Sequence, residues 1–215
     1  ENKKFKNNFK NYVGANYAIS MNSCTSALEC AIKCIEKKGE IIVPSFTWVS
    51  SANAIINCGC SPVFVDINLD TRNIDYKKIE SLINKKTVAI MVVHFSGLSC
   101  EMDKIIKICK KYNLQLIEDS AETLGGKYKN NFTGSFGLGC FSFFPTKNIT
   151  TTEGGMLTLN NKKMYEKAKK IIAHGIVKSN KKSWKRVAVL PGHNYRLPNH
   201  LALLGNSQLS KLKSF

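Results

Sequence analysis

Two kinds of apolar pattern alternate along most of this chain. Runs of strand length, such as EIIVP at 40–44 and TVAIMVVHF at 87–95, are continuously apolar. Between them lie segments whose apolar residues recur every three or four positions, as in TSALECAIKCIEKK at 25–38. Strands that alternate with helices form a mostly parallel sheet with helices on both faces, because each crossover helix buries its apolar side against the sheet. The sequence therefore predicts an α/β fold.

The same two patterns predict the order of the elements. Ile105, Ile106 and Ile108 are expected to face inward, and Asp75 is expected to cap a helix. After residue 133 the alternation weakens, and 175–196 is a polar excursion too long for a simple connector. The predicted helices are 25–38, 48–59, 75–86, 101–113, about 161–173 and 199–215, and the predicted strands are 40–44, 61–67, 87–95, 114–120, 137–144 and 154–160.

Composition narrows the class of protein. The chain has 215 residues, 43% hydrophobic and 22% charged, which is enough for one sizeable core. No run approaches the roughly 18 apolar residues of a membrane span, and the lysine-rich start does not resemble a secretory signal. We therefore expect no membrane partner and a cytoplasmic location.

The net charge of +17 raises the question of nucleic acid binding. The basic residues are nearly all lysines in helical KK pairs, and the only arginines are Arg72, Arg186 and Arg196. Base-reading surfaces favour arginine because its guanidinium makes two parallel hydrogen bonds. A solvated lysine-rich surface that attracts anionic substrates fits better than a nucleic acid partner.

Eight cysteines are scattered through predicted helices and strands. They occupy positions 24, 30, 34, 58, 60, 100, 109 and 140, with no C-x-x-C pair. The CGC at 58–60 lacks a second pair or a histidine partner. We expect reduced, mostly buried thiols and no metal site.

Several unusual residues follow predicted strands, where open α/β sheets bind ligands. Lys147 lies in the loop after CFSFF, and its apolar neighbours favour the neutral amine that reacts with a carbonyl. Asp119 ends an apolar strand, and Trp48 follows another. The polar turn NSCTS at 22–26 opens a helix, whose N-terminus favours a phosphate. An amine, a carboxylate, a phosphate cup and a stacking aromatic ring are together what pyridoxal phosphate requires.

Seven sequence motifs, which follow one another along the chain, connect these features with a known protein family. The chain resembles the DegT-type family of pyridoxal-phosphate sugar aminotransferases, which share the aspartate-aminotransferase fold (fold type I). The resemblance implies the large cofactor-binding domain over 1–215, with a sheet of seven-stranded type, and a C-terminal small domain absent from this chain. The matching stretches are NSCTSALECAI, PSFTWVSSANAI, GCSPVFVDIN, HFSGLSCEMDKI, IEDSAETLGGKYKN, GCFSFFPTKNITTTEGGML and GHNYRLPNHLALLGNSQLSKL.

The resemblance implies a role for each matching residue. Lys147 corresponds to the lysine that bonds covalently to the cofactor. Asp119 corresponds to the aspartate that keeps the cofactor's pyridine nitrogen protonated. These two residues are the expected catalytic pair.

The other implied contacts hold the cofactor in place. Trp48 corresponds to the aromatic residue that stacks on the cofactor ring. Thr25 and Ser26 correspond to the phosphate cup, and Ser142 to a serine that also reaches the phosphate. Asn194 corresponds to an asparagine that crosses the interface of a homodimer to the neighbouring cofactor.

Two positions depart from the family pattern. Glu122 stands where many members have glutamine near the phenolic oxygen of the cofactor, and a glutamate donates a hydrogen bond only when protonated. Cys24 replaces the usual glycine of the phosphate turn.

Each residue also has a purely structural alternative. Lys147 could be an ordinary surface lysine, Asp119 a helix cap and Trp48 a core residue. Thr25 and Ser26 could simply cap the following helix.

His94 and His174 could line the substrate site or be structural histidines, and both alternatives stay open.

The implied activity is transfer of an amino group from glutamate to a nucleotide-linked keto sugar, and we expect a 4-keto-6-deoxy sugar. Lys181, Lys182, Lys185 and Arg186 are candidates for contacting its diphosphate. One alternative is a sugar dehydratase of the same fold, although such relatives carry histidine in place of Lys147. Another is a catalytically inactive scaffold or regulator.

Overall fold

A seven-stranded sheet forms the centre of the computed structural model, which describes residues 1–178 and 186–214. Its strand order is β1-β9-β8-β5-β4-β2-β3, and β9 runs antiparallel to both of its neighbours. The predicted, mostly parallel sheet is therefore confirmed. The strands are β1 (Tyr17–Met21), β2 (Glu40–Pro44), β3 (Ser61–Val65), β4 (Thr87–Val93), β5 (Gln115–Asp119), β6 (Lys127–Tyr128), β7 (Asn131–Phe132), β8 (Leu138–Ser142), β9 (Gly155–Leu159), β10 (Ile176–Lys178) and β11 (Arg186–Ala188).

Helices cover both faces of the sheet. They are α1 (Asn2–Val13), α2 (Cys24–Cys34), α3 (Val49–Asn57), α4 (Tyr76–Ile79), α5 (Met102–Tyr112), α6 (Lys162–Ile171) and α7 (Asn199–Lys211), with short 3₁₀ turns at 80–82, 95–97 and 212–214. Helices α2, α3 and α6 pack against one face of the sheet. Helices α1, α4, α5 and α7 pack against the other face. Along β4 the buried side chains alternate between these faces, so Met91 lies in one core and Ile90 in the other.

Helix α1 was not predicted from the sequence. Phe5, Phe9 and Val13 recur every four residues on one side of it and are fully buried or nearly so. The Phe5 ring packs 5.3 Å from that of Phe143, and the Phe9 ring lies 5.0 Å from that of Phe141. The helical spacing of its apolar residues was the available signal, and the many lysines around it obscured that spacing.

Two predicted features need correction. The helix expected over 75–86 begins at its Asp75 cap, as predicted, but its α-helical part ends at Ile79. Asn84 ends the following turn because its side chain accepts the Lys86 N–H at 2.8 Å and its N–H donates to Thr87. In α5, Ile106 is only partly buried, unlike Ile105 and Ile108.

The polar excursion over 175–196 contains the β10–β11 hairpin. The chain after the hairpin returns to the sheet, where Arg196 forms a β-bridge with Met21. Lys181, Lys182 and Lys185 lie outside the described residues, and Arg186 is exposed on β11.

The eight cysteines are free thiols, six of them buried, as expected. In the described part of the chain, every helix is too short or too polar to cross a bilayer.

Candidate active site

The carboxyl ends of five parallel strands open into one cavity of about 660 Å³. The segments that follow β1, β2, β4, β5 and β8 line it, and Glu153 and Gly154, just before β9, add one side because that strand runs in the opposite direction. Parallel α/β sheets bind ligands at this edge. Six of the predicted site residues line the cavity: Thr25, Trp48, Asp119, Glu122, Ser142 and Lys147.

Asp119 brings a carboxylate to the cavity from the end of β5. The residue is only 5% exposed. Its Oδ2 accepts a hydrogen bond from the Ser51 hydroxyl at 2.8 Å, and its Oδ1 accepts the Ala121 N–H at 3.2 Å. Burial raises the pKa of Asp119, and these two hydrogen bonds oppose that rise. The carboxylate is thus held in one orientation by α3 and by the turn after β5.

Lys147 lies in a loop that is held by hydrogen bonds between its own residues. The carbonyl of buried Phe143 accepts both the Thr151 N–H at 3.0 Å and the Thr150 hydroxyl at 2.9 Å. The Phe143 N–H donates to the carbonyl of Gly154 at 2.9 Å, which closes the loop at its base. The Lys147 side chain is 22% exposed and lines the cavity. The threonines that follow Lys147 therefore hold the loop that carries it.

The first turn of α2 forms a polar cup beside the cavity. Ser23 caps the helix by accepting the Ser26 N–H at 3.0 Å, while Cys24 and Thr25 line the cavity. The first N–H groups of a helix have no partner within it, so this turn suits an anion. Ser26 does not line the cavity, and its hydroxyl lies 2.9 Å from that of Ser23. A Cβ on Gly155 would lie 2.3 Å from the Ser23 carbonyl oxygen, so the close approach of β9 to this turn requires glycine.

Aromatic side chains form the mouth of the cavity. Trp48 is 77% exposed at the start of α3, so it is not the core residue that the alternative proposed. Phe46 and Phe144 are also about half exposed, and the rings of Phe46 and Phe95 lie 4.9 Å apart. Flat apolar surfaces of this kind suit a planar ring or an apolar part of a substrate.

Glu122 and Ser142 supply oxygens near Lys147. Oε1 of Glu122 lies 3.5 Å from Nζ of Lys147, and Oε2 accepts the Ser96 N–H at 2.9 Å. Oγ of Ser142 accepts the Phe144 N–H at 3.3 Å, and among the described residues its own hydroxyl donates to none.

Asn194 lies outside this cavity. It is exposed, forms a β-bridge with Ala173 and accepts a hydrogen bond from Nη2 of Arg196 at 3.2 Å. His174, whose role was left open, is likewise exposed and does not line the cavity.

Sequence reasoning did not assign the buried interaction of Glu118 with His94. Glu118 is fully buried and accepts backbone N–H groups from Gly134 at 2.8 Å, Phe136 at 2.9 Å and Gly137 at 2.7 Å. Its Oε2 also lies 3.2 Å from Nε2 of His94. A glutamate inside an apolar strand was the available signal.

His94 is held by structural hydrogen bonds and also borders the cavity. Its Nδ1 accepts the Cys100 N–H at 3.1 Å, which places the ring proton on Nε2, facing Glu118. The buried ring also borders the cavity.

The residues around the cavity fit pyridoxal phosphate. An amine for the aldehyde, a buried carboxylate for the ring nitrogen and a helix N-terminus for the phosphate face one space. Among the described residues, no three histidine, cysteine or acidic side chains form a group that could hold a metal ion.

Comparison with known proteins agrees with this fit. The chain is 42% identical over 206 residues to the UDP-4-amino-4,6-dideoxy-N-acetyl-beta-L-altrosamine transaminase of Campylobacter jejuni strain 81-176, a match that covers 94% of this chain and 54% of the relative. It superposes on Helicobacter pylori PseC, an aminotransferase involved in the biosynthesis of pseudaminic acid, with a TM-score of 0.94 and 35% identity over 99% of this chain and 58% of that one.

A dehydratase shares the same fold. The E. coli GDP-4-keto-6-deoxy-D-mannose-3-dehydratase, solved with hydrated PLP, superposes with a TM-score of 0.91 and 32% identity over 98% of this chain and 60% of that one. The chain spans little more than half the length of the curated relatives it matches. The model of the DegT/DnrJ/EryC1/StrS aminotransferase family matches residues 1–215, and the chain belongs to that family.

Proposed function

We propose that residues 1–215 are the cofactor-binding domain of a pyridoxal-phosphate aminotransferase. It transfers an amino group from glutamate to the keto group of a nucleotide-linked sugar, and it acts as a homodimer in the cytoplasm. The observation that carries the proposal is the convergence of Lys147, Asp119 and the first turn of α2 on one cavity.

The cofactor, when bound, supplies an electron sink that makes the carbon next to the amino group acidic. Lys147 would hold the cofactor covalently, and its Nζ, when free, would carry the proton between the carbon of the amino donor and the C4′ carbon of the cofactor. Asp119 would accept a hydrogen bond from the protonated ring nitrogen, and its burial would strengthen this interaction.

The remaining cavity residues would bind the cofactor and orient it. Thr25, Ser142 and the first N–H groups of α2 hold the phosphate, with Ser26 at the edge of this cup. Trp48 covers one face of the ring. Glu122 lies beside Lys147 and accepts hydrogen bonds near the reacting amine.

Transamination is preferred over dehydration of a sugar. The fold does not separate the two, since a dehydratase superposes on this chain. The family resemblance implies a histidine in the dehydratases where Lys147 stands, and this chain has the lysine. The intact pair of Lys147 and Asp119 also disfavours an inactive scaffold, because an amine and a buried carboxylate that line one cavity are the groups the cofactor's chemistry needs.

The sugar is proposed to carry its keto group at C4 and to lack the 6-hydroxyl. This choice rests on Glu122 and on the name of the C. jejuni relative, which specifies a 4-amino-4,6-dideoxy sugar.

Two experiments test the proposal. The purified full-length protein with pyridoxal phosphate should show a visible absorbance band, and borohydride should attach the cofactor to the peptide that contains Lys147. A Lys147→Ala variant should fold but lose both the attachment and turnover. Attachment elsewhere, or wild-type turnover in the variant, would refute the role of Lys147.

The substrate is tested by a screen of 3-keto and 4-keto nucleotide sugars with glutamate. Turnover of 4-keto sugars is the expected result. Turnover of 3-keto sugars alone would reject the proposed position, and release of a deoxygenated sugar without amine transfer would favour the dehydratase.

A further inference from the structure

A cluster of polar side chains outside the cavity ties α2 to the segment 193–196. Glu29 on α2 is buried, with 8% exposure, and its Oε1 accepts the Asn57 side-chain N–H at 3.1 Å. Its Oε2 accepts the Tyr195 hydroxyl, and one turn further along α2 the Lys33 ammonium contacts Nε2 of His193. We call the four residues Glu29, Lys33, His193 and Tyr195 the α2 clamp.

The charges of the α2 clamp suit these contacts. Burial, followed by the nearby Lys33 ammonium, lowers the pKa of His193, so at neutral pH its ring is neutral and accepts from Lys33. Burial, followed by the hydrogen bond to Glu29, raises the pKa of Tyr195, so its hydroxyl remains a donor. The two rings stack in parallel, with centroids 4.5 Å apart.

Alternation along the segment separates inward from outward side chains. His193 and Tyr195 face α2, while Asn194 and Arg196 between and beyond them are exposed and bonded to each other at 3.2 Å. Because neighbouring side chains of this segment project to opposite sides, Asn194 projects away from α2 while Tyr195 faces it.

Backbone contacts place the segment along α6 and β1. The His193 N–H donates to the Ile171 carbonyl at 2.6 Å, and the Asn22 N–H donates to the Tyr195 carbonyl at 2.9 Å. These backbone bonds fix the position of the segment 193–196. The α2 clamp adds a side-chain connection between this segment and α2, the helix whose first turn forms the polar cup.

From these contacts, we infer that Tyr195, held by Glu29, is a positioning residue that aims Asn194 at the cofactor phosphate of a second copy of this chain. The inference rests on the proposed function, which needs Asn194 to cross the dimer interface. Glu29, Lys33 and His193 act through the same segment and touch neither substrate nor cofactor.

The test is a double-mutant cycle on the dissociation constant of pyridoxal phosphate, measured by titration of the full-length protein. Tyr195→Phe removes one hydroxyl and keeps the ring stack. It should raise the dissociation constant about three- to tenfold, the effect of one lost hydrogen bond. Added to Asn194→Ala it should cause no further rise, because the residue it positions is gone.

Two controls separate positioning from general stability. Tyr128→Phe removes another tyrosine hydroxyl that donates to a carboxylate, Asp103, and should leave the dissociation constant unchanged. Glu29→Gln has one oxygen that can still accept the Tyr195 hydroxyl, although it loses an acceptor for Asn57, and it should bind the cofactor as the wild type does.

Three results would overturn the inference. The first is an equal effect of Tyr195→Phe with and without Asn194, and the second is no effect at all. The third is an unchanged dissociation constant in Asn194→Ala. This result would show that Asn194 does not contact the cofactor, while cofactor binding by the cavity itself would remain. Failure of the wild type to bind the cofactor would instead refute the proposed function, and the inference with it.

Discussion

Nζ of Lys147 lies 3.5 Å from Oε1 of Glu122, and the other oxygen of that carboxylate accepts the Ser96 N–H at 2.9 Å. The backbone thus orients Glu122, and Glu122 in turn faces the proposed reactive amine. A glutamine at this position would place a neutral amide there.

Glu122→Gln should speed the attachment of pyridoxal phosphate to Lys147 at neutral pH by about two- to fivefold. The amide stabilises the ammonium form less than a carboxylate does, and a partly exposed ion pair is worth only about 0.2–1 kcal/mol. Stopped-flow absorbance measures the rate. Glu153→Gln, which removes the same charge from the same cavity without breaking an ion pair to Lys147 among the described contacts, is the control. Equal rates in all three proteins would contradict the prediction.

Asp119→Asn should stabilise the cofactor-free protein at pH 7. Because burial raises the pKa of Asp119 in the folded state, this group favours folding at low pH, and the advantage is lost as pH rises through the folded pKa. An amide avoids the buried charge, so we expect the variant to have the higher Tm at pH 7. The difference should vanish below about pH 4, where the unfolded carboxyl is also protonated.

Asp103→Asn is the matched control with the opposite sign. The Tyr128 hydroxyl and Lys129 hold the pKa of Asp103 at about 2, so the loss of this carboxylate should lower stability at pH 7. Calorimetry of both variants from pH 3 to 8 measures these changes in Tm. A Tm of Asp119→Asn at or below that of the wild type at pH 7 would show that the carboxylate is not strained by burial.

The same Asp119→Asn variant should bind pyridoxal phosphate but lose most of its turnover. A neutral amide does not stabilise a protonated pyridine nitrogen as a carboxylate does. Single-turnover rates with glutamate measure the loss, which we expect to be at least about 100-fold. A rate equal to that of the wild type would remove Asp119 from the catalytic pair.

Thr25→Val should raise the dissociation constant of pyridoxal phosphate about tenfold, because a hydrogen bond to a charged phosphate is lost. Ser26→Ala is the informative comparison. Its hydroxyl lies beside that of Ser23 and outside the cavity lining, so we expect a change of less than about threefold. Fluorescence titration compares the two. A larger effect at Ser26 than at Thr25 would move the phosphate toward Ser26.

Mixing inactive Asn194→Asp and Lys147→Ala dimers should restore activity. If Asn194 reaches the partner's cofactor, a mixed dimer joins both defects in one site and leaves the other whole. Random exchange should then recover about a quarter of wild-type activity, since half of the dimers are mixed and each has one intact site. No recovery after exchange verified by mass spectrometry would show that each site is built from a single subunit.

The order of the secondary structure was readable from local patterns. Apolar runs such as 87–95 and helical periods such as 25–38 correspond to β4 and α2, because burial of apolar side chains imposes period on sequence. Helix α1 was not predicted because its few phenylalanines lie among lysines. The prediction for α4 was too long because the Asn84 side chain redirects the backbone by accepting the Lys86 N–H.

By itself the sequence determined the fold class, the motif order and the residues with unusual chemistry, because periodicity and residue type are local properties. Only the tertiary structure decided which of those residues share a space. It placed Lys147, Asp119, Thr25 and Trp48 around one cavity and left Asn194 outside it. The physical reason is that contacts such as Ser51 with Asp119, or Glu29 with Tyr195, join residues 68 and 166 positions apart. No local pattern encodes such a distance, which depends on how strands order themselves within the sheet.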